Sequence, residues 1–600
     1  MKSFFLSVAV FSIVSINCFA QKTISVEDIW SKYAFMPASA GGFNAMKDGL
    51  HYTDLEKEGD FDNIVKYELK SGKKVAVLVK GADVKVGDKT VNISDYSFSP
   101  DETKLFFSTE SEGIYRRSSV ETNYVYDIKT GKTMPLSDNG KQMFATFSPV
   151  GNKVAFVRAN NLFIKDLDNG KEIQVTTDGK NNEIKNGWAD WVYEEEFSKA
   201  NYFEWNADGS KLAFVRFDES KVKEYSFDEY NNNLYPDKVT FKYPKAGEDN
   251  SVLSVYVYDL AGNKTTMVDI GKETDIYIPR IQWTTDRNTL SLQRMNRLQN
   301  KVELLYANAT DGSTKTILNE ESKTYIDITD DLIFLPNNKG FIWSSEADNY
   351  NHLYYYDNTG KLVNQITKGN WDVISFNGYD EKLNTLYYIS TEQGQINRDI
   401  YSIKLDGTSK KRLSTAQGTS SADFSTGLKY YVSSYSNANT PPVYELHSAD
   451  GKLIKVLEDN SALKAKMKEY SLSTKEFFTF KNTDGVELNG WMMKPKNFDA
   501  TKKYPVYMFA YNGPGSNECN NAWETFDFWW HSLLNQEGYI VVCVDGRGTL
   551  GRGREFKHCT YLQLGKLETL DQIDAAKYLG ALPYVDKTRI GFQGWSYGGY

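Results

Sequence analysis

From residue 43 to about residue 470 the chain alternates apolar and polar positions in short runs. The alternation restarts on a recurring cue: an aromatic residue, a polar turn, then a strand. Phe98-Ser99-Pro100-Asp101 leads into Lys104-Leu105-Phe106-Phe107, and Phe147-Ser148-Pro149-Val150-Gly151 into Lys153-Val154-Ala155-Phe156. Trp205-Asn206-Ala207-Asp208-Gly209 leads into Lys211-Leu212-Ala213-Phe214, and weaker copies begin at Phe43, Trp283, Phe334, Phe376 and Phe424. These eight starts are spaced by about 42 to 78 residues, against about 40 to 50 for propeller blades. Asp127-Ile128-Lys129-Thr130-Gly131 and Asp166-Leu167-Asp168-Asn169-Gly170 close further strands within a unit. Four short strands per unit with Asp/Asn-Gly turns predict an eight-bladed β-propeller over 43–470. A set of unrelated hairpins would not keep the order of aromatic, turn and strand. The longest interval, from Trp205 to Trp283, holds an insertion at Lys221 to Asn250 rich in Tyr, Asn and Lys; hairpins inserted at a blade edge often meet partners.

The pattern changes at about residue 471. Pro505 to Ala510, Tyr539 to Val544 and Ile590 to Phe592 are apolar without alternation, as strands buried on both faces of a parallel sheet are. Between the last two, Leu570, Ile573, Ala576 and Leu579 fall on one stripe of a helix over Leu567 to Leu579. Strands alternating with helices predict an α/β domain over 471–600.

Composition narrows the class. The 600 residues are 40% hydrophobic and 25% charged, with a formal net charge of -9. That acidity and the lack of a basic run argue against nucleic acid and against an anionic membrane surface. Residues 1–20 read as a signal peptide. Lys2 supplies the charge, Phe4 to Ile16 the apolar stretch, and Cys18-Phe19-Ala20 the small-residue exit that makes Gln21 the new N-terminus. An uncleaved anchor is the competing reading, disfavoured by a stretch too short to span a bilayer; a lipoprotein signal at Cys18 would have Asn17 poorly placed before it. The expected location is secreted or periplasmic, with no membrane span after signal removal. Cys519, Cys543 and Cys559 are too sparse for a disulfide framework. The five histidines, His51, His352, His447, His531 and His558, are scattered. No metal or cofactor is implied.

The chemistry concentrates in Gly594-Trp595-Ser596-Tyr597-Gly598, a G-x-S-x-G directly after an apolar strand. On such a sharp strand-to-helix turn the glycines leave room for the backbone, and the serine hydroxyl projects from the sheet. Gly594-Trp595-Ser596-Tyr597-Gly598-Gly599-Tyr600 resembles the nucleophile motif of the prolyl oligopeptidase superfamily in its dipeptidyl peptidase IV branch. Asp545-Gly546-Arg547-Gly548, Asp190-Trp191-Val192-Tyr193-Glu194-Glu195-Glu196 and Tyr243-Pro244-Lys245-Ala246-Gly247 resemble further segments of that branch. The resemblance covers nearly the whole mature chain. It implies an eight-bladed propeller followed by an α/β-hydrolase domain, with residues 21–42, near Ile24 to Tyr33, packing on the hydrolase.

By that resemblance Glu195 and Glu196 grip the free α-ammonium of a peptide substrate. Two carboxylates at a closed end of a cavity favour a cation and limit the chain that extends past them; because unpaired buried charge is costly, a basic group should lie nearby. Arg116 matches the arginine that binds a substrate carbonyl beside the glutamates, with Arg117 as the competing choice and a surface ion pair as the structural alternative. Tyr511, before Asn512-Gly513-Pro514-Gly515, matches the tyrosine whose hydroxyl is one oxyanion donor; the Tyr597 backbone N–H would be the other. Arg547 is expected to tie loops at the top of the sheet.

The implied reaction is acyl transfer. Ser596 attacks the carbonyl after the second substrate residue, preferring Pro and then Ala there, and an acyl-enzyme is hydrolysed. In α/β hydrolases the Asp and His follow the Ser in chain order, so both are expected beyond Tyr600. Within these residues the hydrolase domain is therefore expected to be incomplete, and a molecule ending at Tyr600 is expected to be inactive, with an exposed sheet edge. The partners implied are peptides with free N-termini; homodimers are a habit of the family. Three alternatives stay open: a prolyl tripeptidyl aminopeptidase, a non-catalytic peptide-binding propeller, and a generic carboxylesterase. The paired carboxylates, the intact serine turn and the propeller respectively argue against them.

Overall fold

The computed structural model describes residues 22–600; the signal peptide expected at 1–20 lies outside them. Eight antiparallel sheets, seven of four strands and the fourth of five, follow one another from Asn44 to Glu458 and form an eight-bladed propeller. The aromatic cue has a physical role in it. Each cue but Trp205 falls in or beside the first strand of a blade, and several of these rings reach the preceding blade. Phe147 stacks on Phe106 of the blade before it at 3.9 Å. The Trp205 indole N–H donates to the Thr146 carbonyl at 3.3 Å, and that of Trp283 to the Glu204 carbonyl at 3.0 Å. Buried indoles need such acceptors, so these rings stitch neighbouring sheets as well as filling the space between them. Leu69 packs with Val432 and Leu446, joining the last blade to the first.

The fourth blade departs from the pattern. Ile184–Asn186 and Phe203–Trp205 both pair with Lys211–Asp218, and the chain between them carries a short helix, Trp191–Glu196. The insertion forms a separate hairpin, Glu224–Glu229 with Asp237–Lys242.

The second domain is built on a five-stranded sheet in the order Lys475–Lys481, Glu487–Met493, Ile540–Asp545, Tyr504–Phe509, Val585–Gln593. The last three are parallel, as their uninterrupted apolar runs predict. Phe528 and Trp529 of helix Thr525–Gln536 cover one face over Trp491, Val541 and Cys543. Ala575 and Leu579 of helix Lys566–Gly580 cover the other over Val506, Met508 and Val542. Of the predicted stripe, Leu579 is buried and Ala576 packs beside it, while Ile573 shares a hollow with Ile590 and Phe592 of the strand Val585–Gln593. On the adjoining face Asp571 is turned inward to accept the Arg547 guanidinium, at 2.8 Å from Nη2, and Asn482 Nδ2 at 2.8 Å. Arg547 also reaches Asp484, and so ties loops as expected. Val585–Gln593 pairs with Tyr504–Phe509 on the side away from Ile540–Asp545.

Ile24, Ile29 and Phe35 pack into the hydrolase core beside Trp491, Trp523 and Trp529, with Phe35 stacked on Trp529 at 3.9 Å. Gln536 Oε1 accepts the Ile24 N–H at 2.9 Å.

Candidate active site

Strand order in the hydrolase sheet reverses around Tyr504–Phe509: the chain next enters the strand on one side of it, then the strand on the other. Open α/β sheets form their crevice at the carboxyl ends of the strands at such a point. Tyr511 follows the strand Tyr504–Phe509 there, and Ser596 follows its neighbour Val585–Gln593.

Ser596 has φ of 54°, a left-handed conformation that costs a non-glycine residue about 1–2 kcal/mol. The turn around it admits no other side chains. A Cβ on Gly594 would lie 1.8 Å from the Gly598 carbonyl oxygen, and one on Gly598 would lie 2.2 Å from that of Ala510 and 3.1 Å from Tyr511 Cα. The G-x-S-x-G spacing is therefore a steric requirement of bringing the serine turn against the strand that carries Tyr511. Ser596 is exposed. The Tyr511 and Tyr597 rings lie 6.3 Å apart, and among the described residues no hydrogen bond holds the Tyr511 hydroxyl. Tyr597 Oη donates to Glu568 Oε1 at 2.8 Å, and burial followed by that carboxylate raises the Tyr597 phenol's pKa. Tyr511, Glu568, Tyr597 and Tyr600 border a cavity of about 320 Å3.

Asn512, with φ of 57°, anchors the turn after Tyr511. Its Oδ1 accepts Gly546 N–H at 3.1 Å and Gln572 Nε2 at 3.2 Å. This contact was not legible in the sequence, because its partners lie 34 and 60 residues away.

The acidic motif forms the helix Trp191–Glu196 in the propeller. Asp190 caps it, accepting Tyr193 N–H at 3.0 Å and the Ser251 hydroxyl at 2.5 Å. Tyr193 is buried, and its Oη accepts Ile278 N–H of the next blade at 2.9 Å. Trp191 packs on Tyr243 at 4.2 Å, which explains why two distant segments of the resemblance occur together. The three glutamates then diverge. Glu194 is buried and accepts the Arg117 backbone N–H, while Arg117 Nε donates to the Glu194 carbonyl at 3.2 Å. Glu195 Oε2 meets Arg116 Nε at 2.8 Å, with the arginine side chain 65% exposed and that of the glutamate 28%. Glu196 is exposed, but surrounding protein and then the Glu195 charge raise its carboxyl above the usual range. Of the two arginines, Arg116 stands beside the Glu195-Glu196 pair and Arg117 fastens the helix from behind.

The two histidines before Ser596 stand apart from it. His531 packs between Trp491 and Phe509, and burial pushes it down to about 3. His558 stacks on Tyr325 at 3.7 Å, and burial pushes it down to about 4. Two groups of candidate metal ligands also come together, Cys519 with Cys543 and Asp545, and Asp327 with Glu346 and His558. Their carboxylates already hold protein donors: Glu518 and Cys519 N–H on Asp545, and Lys557 Nζ on Asp327 and Glu346.

Residues 99–442 match the family described as the dipeptidyl peptidase IV N-terminal region, and residues 524–600 the prolyl oligopeptidase family. Dipeptidyl peptidase 4 of Trichophyton rubrum is 32% identical over 526 residues, covering 84% of this chain and 67% of that protein. Dipeptidyl peptidase 4 of Arthroderma otae matches with the same identity and coverage. The crystal structure of Porphyromonas gingivalis dipeptidyl peptidase 4 superposes with a TM-score of 0.91 at 42% identity, over 96% of this chain and 82% of that one. The chain spans about two thirds of the length of these fungal relatives.

Proposed function

The chain belongs to the dipeptidyl peptidase IV branch of the prolyl oligopeptidase family, and from that premise we propose that it is a serine exopeptidase releasing dipeptides from free peptide N-termini, with Pro and then Ala preferred at the second position. The observation that carries the reading is the Glu195-Glu196 pair at the end of a capped, tightly braced helix, with Arg116 on Glu195. Such a pair has charge to spare for one further cation, and the substrate's terminal ammonium supplies it.

In this reading Ser596 is the nucleophile. Its elbow projects the hydroxyl, and the Tyr511 hydroxyl and Tyr597 N–H receive the developing oxyanion. The general base His and the Asp that orients it are assigned to the chain beyond Tyr600. Arg116 holds a substrate carbonyl while it steadies Glu195. The enzyme works outside the cytoplasm.

A tetrapeptide Gly-Pro-Xaa-Xaa incubated with protein from the complete gene tests this. Release of Gly-Pro supports the dipeptidyl assignment; release of a tripeptide transfers it to the tripeptidyl alternative.

The raised carboxyl of Glu196 adds a pH dependence. A carboxyl shifted upward takes its proton at higher pH than an ordinary glutamate, and the protonated form no longer attracts an ammonium. Binding of a free-amine Gly-Pro peptide to the Ser596→Ala variant, followed by calorimetry, is expected to weaken as pH falls through that raised range. In Ser596→Ala/Glu196→Gln the plateau affinity is expected to be lower and this acid limb to be absent.

A further inference from the structure

Tyr511 opens a loop whose far half is held by the propeller. Arg398 lies in the seventh blade, just before strand Asp399–Lys404, and is 8% exposed. Its Nη1 donates to the carbonyls of Gln395 and Asn397 at 2.8 and 2.9 Å. Its Nη2 crosses the domain boundary to Asn517 Oδ1 at 2.6 Å and Asn520 Oδ1 at 3.1 Å. Asn517 Nδ2 in turn donates to Asp545 Oδ2 at 2.5 Å, and Asp545 also accepts Glu518 and Cys519 N–H at 3.0 and 2.9 Å. Asp545 ends the strand Ile540–Asp545, next in the sheet to the strand that leads to Tyr511.

Among the described residues no carboxylate bonds the guanidinium directly. Four neutral oxygens share it, and burial pulls it down to about 10. A buried guanidinium without a bonded anion is costly, and the charges of Asp372 and Asp545 nearby offset part of that cost. The planar fork satisfies two backbone carbonyls on the propeller and two amide side chains on the loop at once, which a lysine ammonium cannot reproduce.

We propose that Arg398 is a positioning residue for the Tyr511 hydroxyl. Through Asn517 and Asp545 it fixes the span 511–520 against the sheet, so the propeller sets the oxyanion site as well as the amine site. On the other side the same loop is fixed by Asn512 on Gly546 and Gln572 and by backbone bonds from Gly515 to Gly548 and from Leu550 to Ser516; the Arg398 contact adds a side-chain hold from the propeller next to the Asn521–Ile396 backbone bond. The inference rests on the serine peptidase reading above.

The test is a double-mutant cycle on protein from the complete gene, with wild type, Arg398→Lys, Tyr511→Phe and the double variant assayed on a Gly-Pro amide. Arg398→Lys is expected to lower kcat about ten- to a hundredfold, because sub-ångström placement of a catalytic donor carries effects of that size. KM should stay within about twofold, since the amine site is untouched. In the Tyr511→Phe background the Arg398→Lys effect is expected to shrink to about threefold or less, because residues acting through one another are not additive. An undiminished effect in that background overturns the proposal and leaves Arg398 as interdomain packing. Should Arg398→Lys not fold, Asn517→Ala breaks the same link from the hydrolase side, and the same cycle decides. Wild type that cleaves nothing fails the peptidase reading, and the inference with it; wild type that cleaves while the cycle is additive fails the inference alone.

Discussion

Replacing Ser596 with Ala is expected to lower kcat for a Gly-Pro amide by about 10^4-fold or more, the scale seen when a serine hydrolase loses its nucleophile. Its left-handed φ of 54° is a strained conformation of the kind that collects at functional sites. Alanine keeps the Cβ and removes only the hydroxyl, so the thermal midpoint should change little, and titration with a serine-directed phosphonate should label wild type and spare Ser596→Ala. Residual turnover within about tenfold of wild type would assign the chemistry to another residue.

Tyr511→Phe is the second large effect. Removing one oxyanion donor typically costs about 10^2- to 10^3-fold in kcat. The phenylalanine ring keeps the packing that tyrosine makes against Tyr597 and over Gly513, so folding and KM should be nearly unchanged. The Tyr511 hydroxyl makes no hydrogen bond among the described residues, as befits a donor that is to be taken up by substrate. A variant that loses several degrees of Tm but keeps kcat would make Tyr511 a packed strand-end tyrosine.

Much of this arrangement was legible in the sequence because it is local. The eight aromatic cues mark blade after blade since each must present an aromatic to its neighbour, as Phe147 does to Phe106 and Trp205 to Thr146. The Ser596 turn is readable because the motif is local: a Cβ on Gly594 would strike the Gly598 carbonyl within the same five residues, although Gly598 is required by the distant strand end at Ala510. The acidic helix is readable because Asp190 caps what Glu195 and Glu196 end. What was not legible is non-local. Arg116 and Arg117 are adjacent in sequence, and only the 77- and 79-residue returns to Glu194 and Glu195 separate their roles. Arg398 meets Asn517 across 119 residues with no motif at either end. The buried pair Asp571 and Arg547 was equally hidden, since its partners lie 24 residues apart with no motif to link them.

The central claim is that this peptidase counts from a free amino terminus. Its most direct test is hydrolysis of Gly-Pro and Ala-Pro chromogenic amides, each with a free and an N-acetylated terminus, by protein from the complete gene and by Glu195→Ala. The account predicts cleavage of the free-amine forms, no appreciable cleavage of the acetylated forms, and a loss of about two orders of magnitude or more in kcat/KM in Glu195→Ala, the scale of leaving a charge without its partner. Equal cleavage of free and acetylated substrates, undisturbed in Glu195→Ala, would contradict it.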